Sequence, residues 1–237
     1  MEFRPLKAEE IDCRISQIEK TWCTILLYKD ARCDMNILDE TVGPLNWKRG
    51  HLRDNANCIV SIYDKDKKEW VSKEDTGTES FSEAEKGLAS DSFKRACVNW
   101  GIGRELYTAP SIFILPNKTM IKKGKDGEFF EYKEGKYTTK TKFYVEYIDY
   151  DDQKNIKDLI IRDNKNNVRF AELTKETEKR LNKLRLQFKK LIEKLEDKDE
   201  KFNREDLYKY FKVEVDSQLT YNQINEAIEI LNKKLEG

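Results

Sequence analysis

One stretch, Phe81 to Tyr107 (FSEAEKGLASDSFKRACVNWGIGRELY), constrains the fold more than any other. Ser82 with Glu85 three residues on forms a capping box for a helix start. Ala89, Phe93, Ala96, Cys97 and Trp100 then recur at helical spacing and share one face. Asp91, Lys94, Arg95 and Val98 fall on the other side of the wheel. Gly101 and Gly103 supply the permissive backbone that ends helices. The spacing predicts a long amphipathic helix with an apolar face ending in Trp100 and two cations on its back. Whether those cations face water or grip a ligand is the functional question.

The elements around this helix can be read from pattern. Leu6–Glu19 reads as a short helix with Leu6, Ile11, Ile15 and Ile18 inward. Trp22–Tyr28 is β-rich and short, hence a strand. Arg32–Val42 reads as a helix, broken by Gly43-Pro44. Leu45–Leu52, Ala56–Tyr63 and Glu69–Glu74 follow as strands, the last two joined by the turn Asp64–Lys68. Beyond Tyr107, Ser111–Leu115 is an apolar strand at a sheet edge. Asn117–Lys142 is Lys-rich and glycine-marked, and reads as a solvated hairpin. Lys142–Ile148, Ile156–Ile161 and Val168–Phe170 are further strands. The last third is helical: Thr174, Asn203 and the Thr220/Gln223 capping box each open an amphipathic helix. The fold class is α+β: an antiparallel β-sheet packed on a long α-helix, followed by a small C-terminal helical module. Residues 1–172 form the main domain and 173–237 the helical module, too small to be comfortably stable alone.

Composition limits the partners. The 237 residues carry 45 basic and 45 acidic side chains, so the net charge of zero names no partner. A nucleic-acid surface must come from segregated charge rather than excess. Cys13, Cys23, Cys33, Cys58 and Cys97 are scattered without a CxxC pair, which fits neither a zinc site nor a disulfide framework and points to a reducing, cytoplasmic setting. No apolar run is long enough to span a membrane, and the first residues lack an apolar signal core.

Enzyme signatures are thin. His51 is the single histidine, which disfavours His-based triads and zinc clusters. No phosphate-binding glycine loop occurs, since Gly135-Lys136 is followed by Tyr137. Paired acids such as Asp151-Asp152 sit in a polar turn and read as solvated. No catalytic residue, metal or cofactor is therefore expected. What stands out is cations interleaved with aromatics: Trp47, Lys48, Arg49 and Arg53 on or beside one strand, Lys94 and Arg95 on the long helix, and Arg104 after it. Single-stranded nucleic acid needs a basic groove for phosphates and flat side chains for bases. The alternative is plain structure, with Lys94 and Arg95 solvated beside Asp91 and with Trp47 and Trp100 in the core.

At these residues the chain resembles a known family. Asp91-Ser92-Phe93-Lys94-Arg95-Ala96, followed by Trp100-Gly101-Ile102-Gly103-Arg104-Glu105-Leu106-Tyr107, is similar to the signature helix of single-strand annealing proteins. These are the Rad-fifty-two-type proteins of eukaryotes and phage counterparts such as the Sak-like recombinases. Tyr28, Asn36, Glu40, Gly43, Trp47 and the turn Thr76-Gly77-Thr78 match the family pattern at like spacing, so the resemblance covers roughly Leu6 to Pro110. It implies rings or helical filaments of one chain that bind single-stranded DNA and anneal complementary strands without ATP, in recombination and repair, and it suggests a phage-encoded protein acting in its host's cytoplasm. It implies that Lys94 and Arg95 are groove cations. The third basic position is Val98 here, for which Arg104, or Lys48 and Arg49, could compensate; Arg32 lies one place from another basic position. By analogy, the C-terminal helices would meet a single-strand-binding protein or an exonuclease. Two other classes stay open: a metal-dependent nuclease on DNA ends, and a scaffold that recruits replication proteins.

Overall fold

The computed structural model describes residues 1–78, 84–117, 127–198 and 202–236. Ser82 and the lysines Lys118, Lys122, Lys123 and Lys125 lie outside them. In chain order the strands are β1 (Asp12–Ile18), β2 (Cys23–Tyr28), β3 (Trp47–Leu52), β4 (Asn57–Asp64), β5 (Glu69–Thr76), β6 (Ile112–Ile114), β7 (Phe130–Lys133), β8 (Lys136–Thr138), β9 (Phe143–Tyr150), β10 (Ile156–Asp163) and β11 (Val168–Glu172). The helices are α1 (Ala31–Val42), α2 (Ala84–Trp100), α3 (Lys175–Lys198), α4 (Arg204–Phe211) and α5 (Tyr221–Glu236). The class is α+β, as the sequence indicates. Two compact units are present: Met1–Asp12, Leu27–Pro110 and Asp152–Asn155 form one, and Cys13–Leu26, Ser111–Asp151 and Ile156–Gly237 the other.

The first unit is the antiparallel sheet β3-β4-β5 with α2 and α1 against it. The central strand buries Cys58, Val60 and Ile62 at alternate positions, as period-two pleating requires. These meet Phe93, Ala96 and Cys97 of α2, all fully buried. Asp30 starts α1 by accepting hydrogen bonds from the amides of Arg32 and Cys33 at 2.7 and 3.0 Å. The amide of Thr78 donates to Asp91 Oδ2 at 2.9 Å, which ties the turn after β5 to the flank of α2.

The segment Leu6–Glu19 is not the helix its spacing suggests. A short 3-10 turn at Ala8–Glu10 leads directly into β1. Leu6 and Ile11 are buried before the strand begins, while Cys13 and Ile15 alternate with the exposed Asp12, Arg14 and Ser16. Ile11 and Ile15 also satisfy a period of two, and pairing with distant strands decides between the periods.

The second unit contains a six-stranded sheet in the order β11-β10-β9-β1-β2-β6. It curls until its two outer strands approach: Arg169 of β11 donates to the carbonyl of Leu115, just past β6, at 2.7 Å. The same guanidinium pairs with Glu128 and Asp163. The three C-terminal helices belong to this unit and start where expected. Thr174 Oγ1 accepts from Thr177 N, and Asn203 Oδ1 from Glu205 N. Thr220 and Gln223 exchange both bonds of a capping box, at 2.9 and 3.3 Å. Phe188, Ile192, Leu195, Leu207, Phe211 and Leu231 share one buried cluster among the helices. Ile160, Leu181 and Tyr221 pack helix against sheet.

Candidate nucleic-acid interface

α2 places the cations by simple geometry. Its buried side rests on β4, and the Trp100 indole N–H fixes the register by donating to the carbonyl of Val60 at 3.0 Å. Trp47 stacks on Phe93 with ring centroids 6.1 Å apart and donates to Asp39 Oδ1 at 2.6 Å. Both tryptophans are therefore packing residues with satisfied indoles, not free stacking platforms.

Lys94 and Arg95 leave the helix on different sides. Lys94 lies near enough to Asp34 of α1 to act on its carboxyl. Among the described residues it has no carboxylate within salt-bridge distance. Arg95 reaches the other way, to Asp75 of β5 at 3.4 Å, with 45% of its side chain exposed. Asp91, the partner that helical spacing offers both cations, is engaged with Thr78 instead.

The strand cations divide by pleat. Arg49 pairs across from the buried Val60, on the α2 side, and its guanidinium lies 4.7 Å from the Phe93 ring centroid. Lys48 is across from Ser61 on the reverse face, 4.2 Å over the Trp70 ring. Arg53 sits in the β3–β4 turn with φ of 52° and is exposed. Arg32 pairs with Asp30 at 3.0 Å and is 84% exposed. Arg104 turns back to donate to the carbonyls of Val98 and Asn99 at 3.0 and 3.3 Å, which caps the C-terminus of α2. Arg49 thus covers Phe93, Lys94 lies on the Asp34 side of α2, Arg95 projects beside β5, and Lys48 is on the reverse face of the sheet.

Two lysines that pattern reading passes over belong to this region. Lys73 lies 4.6 Å from the Trp100 ring centroid and donates to the carbonyl of Asn99 at 2.8 Å. Its signal was the β5 alternation, which puts Val71, Lys73 and Asp75 on the α2 side. Lys29 is buried and ion-paired with Asp34, which is fully inaccessible. Burial pushes the Asp34 carboxyl up to about 6, while Lys29 and Lys94 pull it down.

The glycines of the Gly101-Ile102-Gly103 motif make this arrangement possible. Gly101 has φ of 103°, and the bonds Gly101 N to Val98 O and Ile102 N to Cys97 O close α2 as a Schellman motif. Gly103 has φ of 73°, and a Cβ there would lie 2.2 Å from Lys29 Cε. The lysine stem therefore crosses the glycine to reach Asp34.

Residues 28–124 match the model of the Rad52/22 family, described as double-strand break repair protein. The similarity to the Rad52/22 family is confined to that segment. The matched range holds α1, the β3-β4-β5 sheet, α2 and its glycine stop. No curated protein and no solved structure gives a significant match to the chain.

Proposed function

We propose that this protein binds single-stranded DNA and anneals complementary strands without nucleotide hydrolysis, as a homo-oligomer acting in recombination and repair. The observation that carries the reading is the Rad52/22 match over the unit that presents Lys94 and Arg95. Annealing joins two polyanions, so their repulsion must first be neutralised. Contacts to phosphates leave base edges open for pairing, and stacking of the new duplex supplies the driving force. Repetition of a few cations around an oligomer makes a continuous track from a chain with no net charge.

Lys94, Arg95 and Arg49 are the phosphate contacts favoured by position. Lys94 has no carboxylate partner among the described residues, and Arg95 holds an exposed one that a phosphate can replace. Arg104 and Lys73 serve α2 first, through its terminal carbonyls. The test is the double variant Lys94→Ala/Arg95→Ala in an oligonucleotide-binding titration at moderate salt. Binding should weaken across all sequences alike, and the slope of log affinity against log salt should fall by about 1.4. Normal binding by the folded variant would refute the assignment, and a wild-type protein that leaves complementary strands unpaired without ATP would refute the function.

A further inference from the structure

A second cationic surface lies on α3, outside the family segment. From Lys179 to Ile192 the helix carries Lys179, Arg180, Lys183, Arg185, Lys189 and Lys190 and no acid. The rest of the chain is net acidic, with about one residue in five an Asp or Glu. The six do not share one role. Arg180 donates to the hydroxyl of Tyr147, and Arg185 lies 5.7 Å from the Tyr221 ring centroid. Those two brace the helix against its own unit.

Lys179, Lys183, Lys190 and, past the run, Lys194 form the outward line. The spacings of four, seven and four residues put them on one face. That face is opposite the buried Thr177, Leu181, Phe188, Ile192 and Leu195. All four are exposed, and among the described residues none has a carboxylate within salt-bridge distance. At 1.5 Å per residue the line is about 22 Å long, with a cation nearly every turn.

We infer that this line is a second binding surface for a nucleic-acid backbone, separate from α2. A regular, unpaired row of cations on a straight rod complements an extended polyanion. Leu186 is the one exposed apolar side chain beside the outward line, too little for the apolar centre that a folded protein partner needs. A membrane-surface helix would need its apolar side for the lipid, but here that side is buried in the unit's own core. The choice of nucleic acid over other polyanions rests on the DNA reading above.

The experiment uses the full chain. Lys179→Gln/Lys183→Gln/Lys190→Gln/Lys194→Gln keeps good helix formers at exposed positions, and circular dichroism verifies the fold. Binding of a labelled single strand and of a labelled duplex is measured against salt, beside Lys94→Ala/Arg95→Ala. The four-site variant should lose about 3 from the log–log slope on at least one of the two probes. The four-site Lys→Arg variant should retain it. Loss on the strand alone or on the duplex alone identifies which polymer the line holds. If the Lys94/Arg95 variant binds normally while the four-site variant does not, the α2 reading fails and this one stands. Unchanged slopes on both probes would overturn it. So would a line needed only for flotation with vesicles rich in phosphatidylserine.

Discussion

At the scale of single residues, Asp34 and Asp75 show two ways a carboxylate can hold a cation in place. Asp75 is on the surface, and its pair with Arg95 is of the exposed kind worth at most about 1 kcal/mol. It therefore tethers Arg95 without removing it from use, and it also sets a negative charge beside an approaching phosphate. Asp75→Asn should tighten single-strand binding by a few fold at low salt, with a smaller gain as salt screens the charge. A titration at two salt concentrations reads this, and weaker binding would mean that Asp75 positions Arg95 for its ligand. Asp34 is the buried case. Its carboxyl is pushed up to about 6 by burial, above the ordinary value of 3.8 that the unfolded chain has. The folded chain thus keeps this proton where the unfolded chain has lost it. The resulting stabilisation is full below about pH 4 and is lost as the pH rises through about 6. Wild type should lose on the order of 3 kcal/mol relative to Asp34→Asn across that window, read by urea unfolding. A difference that stays flat with pH would sink this. Nothing in the sequence marked the Lys29–Asp34 pair, because two charges five residues apart read as solvated until Gly103 and α2 close over them.

At the scale of elements, legibility followed the range of the interactions that decide each one. α2, the helices of the last third and the β4–β5 hairpin are fixed by local chemistry: caps, glycine stops and a turn of five polar residues. All were readable. β1 was not, since the 4 and 3 spacing of Ile11, Ile15 and Ile18 is helical, only Ile11 and Ile15 also fit a period of two, and its neighbour β9 lies more than a hundred residues away. The cations divide the same way. That Lys94 and Arg95 share a helix is local information, but that one is on the side of Asp34 and the other pairs with Asp75 of β5 depends on tertiary packing. Likewise, the pleat that separates Arg49 from Lys48 is visible in sequence once Trp47 is assigned to the core side. The α3 line was equally open to inspection. A charged helix face is usually only solvated, and what sets this one apart is that, among the described residues, none of its four lysines has a carboxylate within salt-bridge distance.

At the scale of the whole molecule, the C-terminal helices are built into the second unit's sheet. Arg162 of β10 is completely buried and pairs with Glu146 of β9. It also donates to the carbonyls of Ser217 and Leu219, both at 3.0 Å, and Glu146 accepts from the amide of Tyr221 at 2.7 Å. The start of α5 and the segment before it are thereby wired to two strands through one buried ion pair. Such a pair is costly to leave half made, at about 3–5 kcal/mol when one partner is removed. Two consequences follow from the same wiring. Arg162→Leu should destabilise the intact chain by about that amount, with sheet and helices melting in one transition rather than two. A chain ending at residue 172 would strip Arg162 and Glu146 of those backbone partners and uncover Ile160, so it should melt well below the full chain or aggregate. Thermal unfolding followed by circular dichroism checks both. A fragment that melts at the full chain's temperature would show that the sheet needs none of these contacts, and that the helices are a passenger on it.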